Sequence, residues 1–289
     1  MDGTQYRTWK TLSKCHCKDF KVKILLILSA VFNIHAVGLI KSQKQVINEG
    51  INSTLLIRGY KKDKLAFVGA GFFVSKSGIF VTNHHVIEDA IKNPKDYQVE
   101  FLTSNEERIN NIEFSDCGDK RKIDLCVLKA KNYKPKKFFS FSRSKIGLGQ
   151  KVVLVGHCED PPWSVKSGEI IKTWADIQEN LGKVQVTRND GVETIETNVF
   201  QCGGDSGGPL FSPVNGHLVG MTTERHVITR DQEEIKKYMM SITALEIEKY
   251  VKSKSSFGPL PFKVRNLGGN KMIPTDDKAR KEMLKKLLN

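Results

Sequence analysis

After residue 50 the apolar residues of this chain fall in short bursts cut by Gly, Asn, Asp and Pro, and they seldom repeat with the period of a helix. The bursts at residues 53–60 (STLLIRGY) and 64–75 (KLAFVGAGFFVS) are β-rich and joined by a charged KKDK turn. GIFVTNHHVI follows at 78–87, then DYQVEFLT at 96–103, IDLCVLKA at 123–130, QKVVLVGH at 150–157 and SVKSGEIIKT at 164–173. GKVQVTR at 182–188, VETIETNV at 192–199, PLFSPVNGHLVGMTT at 209–223 and KYMMSITA at 237–244 complete the series. Regularly spaced short strands predict an all-β chain built as a barrel or sandwich. One helix is predicted near its end, over residues 243–253 (TALEIEKYVKS).

The two ends have a different texture. Residues 254–274 carry GPLPF and LGGN and read as linker. The last stretch, TDDKARKEMLKKLLN, predicts a short basic amphipathic helix capped by Thr275, with Asp276 and Asp277 at its positive end. It is expected to be a solvated tail docked on its own domain, the alternative being a helix that lies on an anionic membrane or partner. At the other end, the apolar run ILLILSAVF at 24–32 follows Lys14, Lys18, Lys21 and Lys23. That order resembles the basic and apolar regions of a secretory signal, with a cut after Ala36. The alternative is an uncleaved membrane anchor, although a full span needs roughly 20 apolar residues. The expected division is a signal or anchor over 1–40, a folded domain over 41–253 and a basic tail over 254–289. The expected location is extracytoplasmic, secreted or periplasmic, or else anchored with the domain outside. Asn52-Ser53-Thr54 is a glycosylation sequon, relevant only in a eukaryotic secretory pathway.

Composition narrows the classes. With 289 residues and a hydrophobic fraction of 39%, the chain can bury a core and is not a disordered protein. Its formal charge of +14 is concentrated at the ends: residues 1–40 carry +4, 254–289 carry +6, and the long middle only +4. Charge therefore gives no reason to place a nucleic-acid groove in the folded domain, and no nucleic-acid partner is expected. Six cysteines stand at 15, 17, 117, 126, 158 and 202. Loss of a signal leaves four, which allow three pairings that sequence does not rank.

The chemistry is concentrated in QCGGDSGGPLF, residues 201–211. Glycines on both sides of Ser206 permit turns closed to other residues and let a substrate come near the backbone. The N–H groups of the Gly204, Asp205, Ser206 turn, above all those of Gly204 and Ser206, are placed to serve as an oxyanion hole. A serine hydroxyl needs a base, and histidine suits that role near neutral pH. GIFVTNHHVI ends a strand at two histidines, and KIDLCVLKA supplies Asp124 where an apolar strand begins. An aspartate there can orient the imidazole from its other nitrogen. The candidates thus run in the order His, Asp, Ser.

These residues resemble the trypsin-fold serine proteases, in particular the HtrA/Deg branch. GAGFFVSKSGIFVTNHHVI is similar to that branch's Gly-x-Gly strand leading to Thr-Asn-x-His-Val, which makes His85 rather than His84 the base. IDLCVLK, SVKSGEI, IETNVFQCGGDSGGPLFSPVNGHLVGMTT and YMMSITALEIEKYV resemble its later segments, so the likeness covers about residues 50–253. The resemblance implies two antiparallel six-stranded β-barrels with a C-terminal helix and a cleft between them. It implies a serine endopeptidase acting on proteins or peptides through His85, Asp124 and Ser206, with no metal or organic cofactor. No PDZ domain is expected in residues 254–289.

Two departures stand out. The HtrA branch usually carries Asn before its serine, whereas this chain has Asp205. In activated trypsins that aspartate meets a freed N-terminal amine. No Arg/Lys-Ile-Val-Gly-Gly cleavage site precedes the domain, so Asp205 is expected to find an internal basic or hydrogen-bonding partner. In the trypsin fold the floor of the primary pocket lies six residues before the serine, here Phe200. Gln201, Met221, Thr222 and Thr223 are expected around it, implying an apolar or small P1 residue. Two rival readings are weighed against this one. FQCGG resembles the nucleophile loop of viral chymotrypsin-like cysteine proteases, with Cys202 attacking, but the Gly-Gly-Asp-Ser-Gly-Gly that follows is unsuited to the strand that should leave a nucleophile turn. The other is a catalytically silent homologue that binds peptides without cutting them.

Overall fold

The computed structural model describes residues 41–119, 122–158, 162–173, 192–230 and 233–265, without the side chains of 224–230 and 233–238. The apolar run at 24–32, the strand expected at 182–188 and the helix expected after Thr275 lie outside the described residues. Three helices are described, α1 (Gln43–Ser53), α2 (His84–Lys92) and α3 (Ala244–Lys252). The first lobe holds β1 (Thr54–Lys61), β2 (Lys64–Phe73), β3 (Ile79–Thr82), β4 (Tyr97–Thr103), β5 (Ile112–Cys117) and β6 (Cys126–Ala130). The second holds β7 (Lys151–Gly156), β8 (Ser164–Lys172), β9 (Thr194–Thr197), β10 (Pro209–Phe211), β11 (Leu218–Arg230) and β12 (Glu233–Thr243). These last six close into a barrel in the order β10-β11-β12-β9-β8-β7. The first lobe forms an eight-stranded sheet, β13-β5-β6-β3-β2-β1-β4-β14. The chain is therefore mainly strands, as its pattern predicts, with α3 where a terminal helix is expected.

The strands β13 (Gly258–Pro259) and β14 (Lys263–Val264) belong to one short C-terminal strap, in the stretch that reads as linker. β13 pairs antiparallel with β5 and β14 pairs parallel with β4, so the strap covers both edges of the first sheet. Phe262 is buried in that lobe's interior, and the Arg265 N–H donates to Val99 O at 2.8 Å. Proline and glycine punctuation hides such a strap from a periodicity reading, because each strand is two residues long.

Why TLLI in β1 and VVLV in β7 are unbroken apolar runs is explained by their two buried faces. Leu55 and Ile57 point into the first lobe with Phe73, Phe80 and Phe101. Leu56 points the other way, into a seam shared with Val153, Val155 and Phe211 of the second lobe. Val152 and Leu154 fill the closed barrel with Ile195 and Leu210. Each such side chain is worth roughly 1.5–3 kcal/mol on burial. Helix α1 sits in the same seam through Val46, Ile47 and Ile51. Its Gly50 lies under the Phe211 ring, which an added Cβ would meet at 2.4 Å. The two lobes are thus locked face to face, and the loops at the end of β3, before β6 and before β10 converge along the seam.

Candidate active site

The end of β3 delivers the histidines. Asn83 is fully buried and its side-chain amide donates to Asp124 O at 2.8 Å. The chain then turns into α2, which begins with His84 and His85. His84 leans away: its Nδ1 meets Gly118 O at 2.8 Å. His85 faces Asp124, with its Nδ1 2.5 Å from Oδ2 and its backbone N–H donating to Oδ1 at 2.9 Å. The carboxylate therefore sits at the N-terminus of α2, where the helix favours an anion.

Asp124 is fully buried. Burial pulls its pKa upward, but the side-chain bond, charge and backbone N–H of His85, together with the hydroxyl of Thr223, outweigh it and hold the carboxyl below its ordinary value. It stays ionised, and with Nδ1 held against it, the Nε2 of His85 is the nitrogen free to exchange a proton. The loop carrying Asp124 is tied on both sides. The Gly118 N–H donates to Leu125 O at 2.8 Å, and Cys117 and Cys126 form a disulfide across β5 and β6. The other aspartates of this region lead elsewhere or stand outside the site: Asp116 accepts from Lys254 Nζ at 2.6 Å and from Tyr250 Oη at 3.2 Å.

Ser206 is carried by the loop before β10 of the second lobe, and its backbone touches the first. Its carbonyl accepts the Ala70 N–H of β2 at 2.8 Å. Gly207 follows at φ +81°, and a Cβ there would lie 2.2 Å from Ala70 O. Only glycine lets the turn press this closely on the first lobe. Thr223 completes the join: its hydroxyl donates to Asp124 Oδ2 at 2.9 Å, and the residue also lines the cavity that contains Ser206. That cavity, about 280 Å³, is bordered by Gln201, Cys202, Gly203, Asp205, Ser206 and Thr223. In the turn, Asp205 N–H donates to Cys202 O at 3.2 Å, Gly207 N–H to Thr222 O at 3.0 Å and Gly208 N–H to Asp205 O at 2.9 Å. The N–H groups of Gly203, Gly204 and Ser206 take no acceptor among the described residues, so the pair expected from the sequence, Gly204 and Ser206, is among those open to a ligand.

Of the residues expected around the primary pocket, Gln201 and Thr223 border the cavity. Phe200 is 67% exposed, while Met221 and Thr222 are fully buried, and none of the three is in its lining. Strand alternation in β11 accounts for Thr222 alone, which points away from the face that Thr223 presents to the cavity. Thr222 turns its hydroxyl onto Asp205 O at 2.6 Å and braces the turn instead. Cys202 is joined to Cys158 in a disulfide, which leaves it no thiol for attack. The two sulfurs and an Asp205 carboxylate oxygen lie within 4.8 Å of one another, the spacing of metal ligands, but both sulfurs are spent in that bond.

Two contacts escape a motif reading. Asp205 is 1% exposed, and its Oδ2 is ion-paired with Lys166 of β8. A partner of this kind is expected from the sequence, but its identity depends on strand register. His157 is the second. It is buried at the end of β7, with Nε2 3.0 Å from Leu55 O and Nδ1 accepting the Trp163 N–H at 3.1 Å. Burial pushes its pKa down to about 3.

Comparison with known proteins bears on the family and the fold. Residues 69–221, over half of the chain, match the family profile described as "Trypsin-like peptidase domain". A "Probable periplasmic serine endoprotease DegP-like" of Bartonella henselae is 31% identical over 169 residues, 58% of this chain and 30% of that protein. "Serine protease HTRA1" of Xenopus laevis is 29% identical over 164 residues, 57% of this chain and 33% of that one. The chain thus matches about a third of the length of these relatives. Among solved structures, "HtrA-type protease AlgW with tripeptide" superposes with a TM-score of 0.55 at 20% identity, covering 73% of this chain and 63% of that one, a likeness of fold. The chain belongs to the trypsin-like peptidase family.

Proposed function

We propose that this chain is a serine endopeptidase that cuts proteins or peptides through an acyl-enzyme, with Ser206 as nucleophile, His85 as general base and acid, and Asp124 as the group that orients and stabilises the imidazole. The observation that carries this is the His85–Asp124 pair, joined through the Thr223 hydroxyl to the cavity that holds Ser206. The Ser206 hydroxyl attacks the peptide carbonyl carbon as its proton passes to His85 Nε2. The oxyanion that forms is held by the N–H groups of Gly204 and Ser206, in the turn where Asp205 uses its own N–H internally. Collapse breaks the C–N bond, and the leaving amine takes the proton from His85. Water, deprotonated by the same nitrogen, then hydrolyses the ester.

The primary pocket is read as suited to small or apolar P1 residues. Asp205 is the charged residue in its lining, and that carboxylate is already met by Lys166. An extracytoplasmic location fits the word "periplasmic" in the relatives' names and the two disulfides. Among the described residues no helix is long and apolar enough to cross a membrane; the N-terminal apolar run is the segment we propose for membrane association. Hydrolysis of a quenched fluorescent peptide library is the test. Replacing Ser206 by alanine should lower kcat on the order of 10⁴-fold or more. An unchanged rate in that variant rules the reading out.

A further inference from the structure

The residue immediately before Ser206 is a carboxylate buried in the protein, and its surroundings are unusual. Asp205 is 1% exposed. Its Oδ2 accepts the Cys202 N–H at 2.9 Å, while its Oδ1 is buried without a hydrogen-bond partner. An isolated charge in such a place is strongly unfavourable, and a lone N–H does not balance it. The balancing cation is Lys166. Its Nζ contacts Asp205 Oδ2, lies 3.1 Å from Cys202 Sγ and stands 5.5 Å from the centre of the Phe200 ring. Lys166 is 17% exposed on a strand of the closed barrel, fixed by its pairing with Leu154 of β7. It is therefore a rigid anchor, whereas the turn it holds is a loop.

We propose that Lys166 is a positioning residue: its ammonium neutralises Asp205 and so keeps the 202–206 turn in the form that presents the Ser206 hydroxyl and the free N–H groups of Gly204 and Ser206. The inference rests on the serine endopeptidase reading above. Without the ammonium, Asp205 must move toward water, and it cannot move alone. Its N–H and carbonyl are tied to Cys202 O, Gly208 N and the Thr222 hydroxyl, so its rotation carries the flanking Gly204 and Ser206 with it. Gly156 shows how little room there is: a Cβ on it would fall 2.0 Å from Asp205 Oδ1. The activating cation is thus supplied from inside the fold.

A charge cycle on the full chain tests this, with kcat and KM measured on one fluorogenic peptide for wild type, K166M, K166R, D205N and K166M/D205N. K166M should lose about 100-fold in kcat, the scale of one lost oxyanion donor. Its KM should change less than about threefold, because the loop geometry matters most to the transition state. K166R should recover most of the loss. In the D205N background, where no buried charge remains, the change at position 166 should alter kcat less than about threefold. A folded K166M with wild-type kcat overturns the proposal, as does a loss of the same size in both backgrounds. Should K166M not fold, its recovery of a cooperative urea transition on adding D205N supports the proposal, and no recovery overturns it. Absence of cleavage by wild type would instead remove the endopeptidase reading itself, which separates the two failures.

Discussion

His157 makes the fold sensitive to acid in a way that can be calculated. It is fully buried with its pKa pushed down to about 3 from 6.5, chiefly by burial, with the bond to Leu55 O opposing and the charge of Arg58 reinforcing. Its Nδ1 accepts the Trp163 N–H, so a proton on that nitrogen would set two donors against each other. The folded protein keeps His157 neutral, while the unfolded chain protonates it below 6.5. Stability from this group is therefore complete above pH 6.5 and is lost as pH falls toward 3, at about 1.4 kcal/mol per pH unit. At pH 5 the loss is about 2 kcal/mol. The perturbation is His157→Gln, whose amide can still donate to Leu55 O but does not titrate. Urea unfolding of both proteins gives the comparison, with other acid-sensitive groups cancelling in the difference. The stability gap between wild type and variant should shrink by about 2 kcal/mol from pH 7 to pH 5. A gap that is constant over that range would refute the assignment. The same histidine supports the nucleophile turn: its N–H donates to Gly204 O at 3.3 Å, and Gly204, at φ +98°, has room for no Cβ beside His157 O.

Three more outcomes follow from contacts in the site. Asp124→Asn should preserve the fold yet lower kcat about 10⁴-fold, because an amide facing Nδ1 favours the wrong imidazole tautomer; steady-state kinetics beside a circular dichroism melt checks this. Gly207→Ala should abolish cleavage and reduce stability by about 1–3 kcal/mol, since it places a Cβ 2.2 Å from Ala70 O at a φ of +81°; urea unfolding and peptide hydrolysis report both effects. Removing the Cys158–Cys202 bridge by serine at both positions frees a 44-residue separation and should cost about 4 kcal/mol in a reversible unfolding experiment under oxidising conditions.

Most strands were legible because each is a short β-rich run bounded by turn residues, and because β1 and β7, buried on both faces, could not be mistaken for solvated loops. What stayed hidden has local causes. β5 alternates Ile112 and Phe114 with Glu113, Ser115 and Asp116, and only Ile112 is fully buried, so it reads as charged loop. Helix α1 lies at the border of the apolar pattern, and its buried Val46, Ile47, Gly50 and Ile51 form a stripe only when the seam between lobes is known. The histidines, expected at a turn, open α2, where the Asp124 carboxylate takes the place of a side-chain cap. The nucleophile turn was readable from its glycines. Thr223 was read as pocket wall, and its bond to Asp124 joins residues 99 apart in the chain. Lys166 had no local signal at all, since one lysine in SVKSGEI looks like any other until β8 is set in register beside the turn.

The role assigned to Ser206 is tested most directly by mapping a fluorophosphonate adduct on the intact protein by peptide mass spectrometry. Labelling should fall on Ser206 alone and should be slowed by orders of magnitude when His85 is replaced by alanine. An adduct on another residue, or labelling of Ser206 that is indifferent to His85, would contradict it.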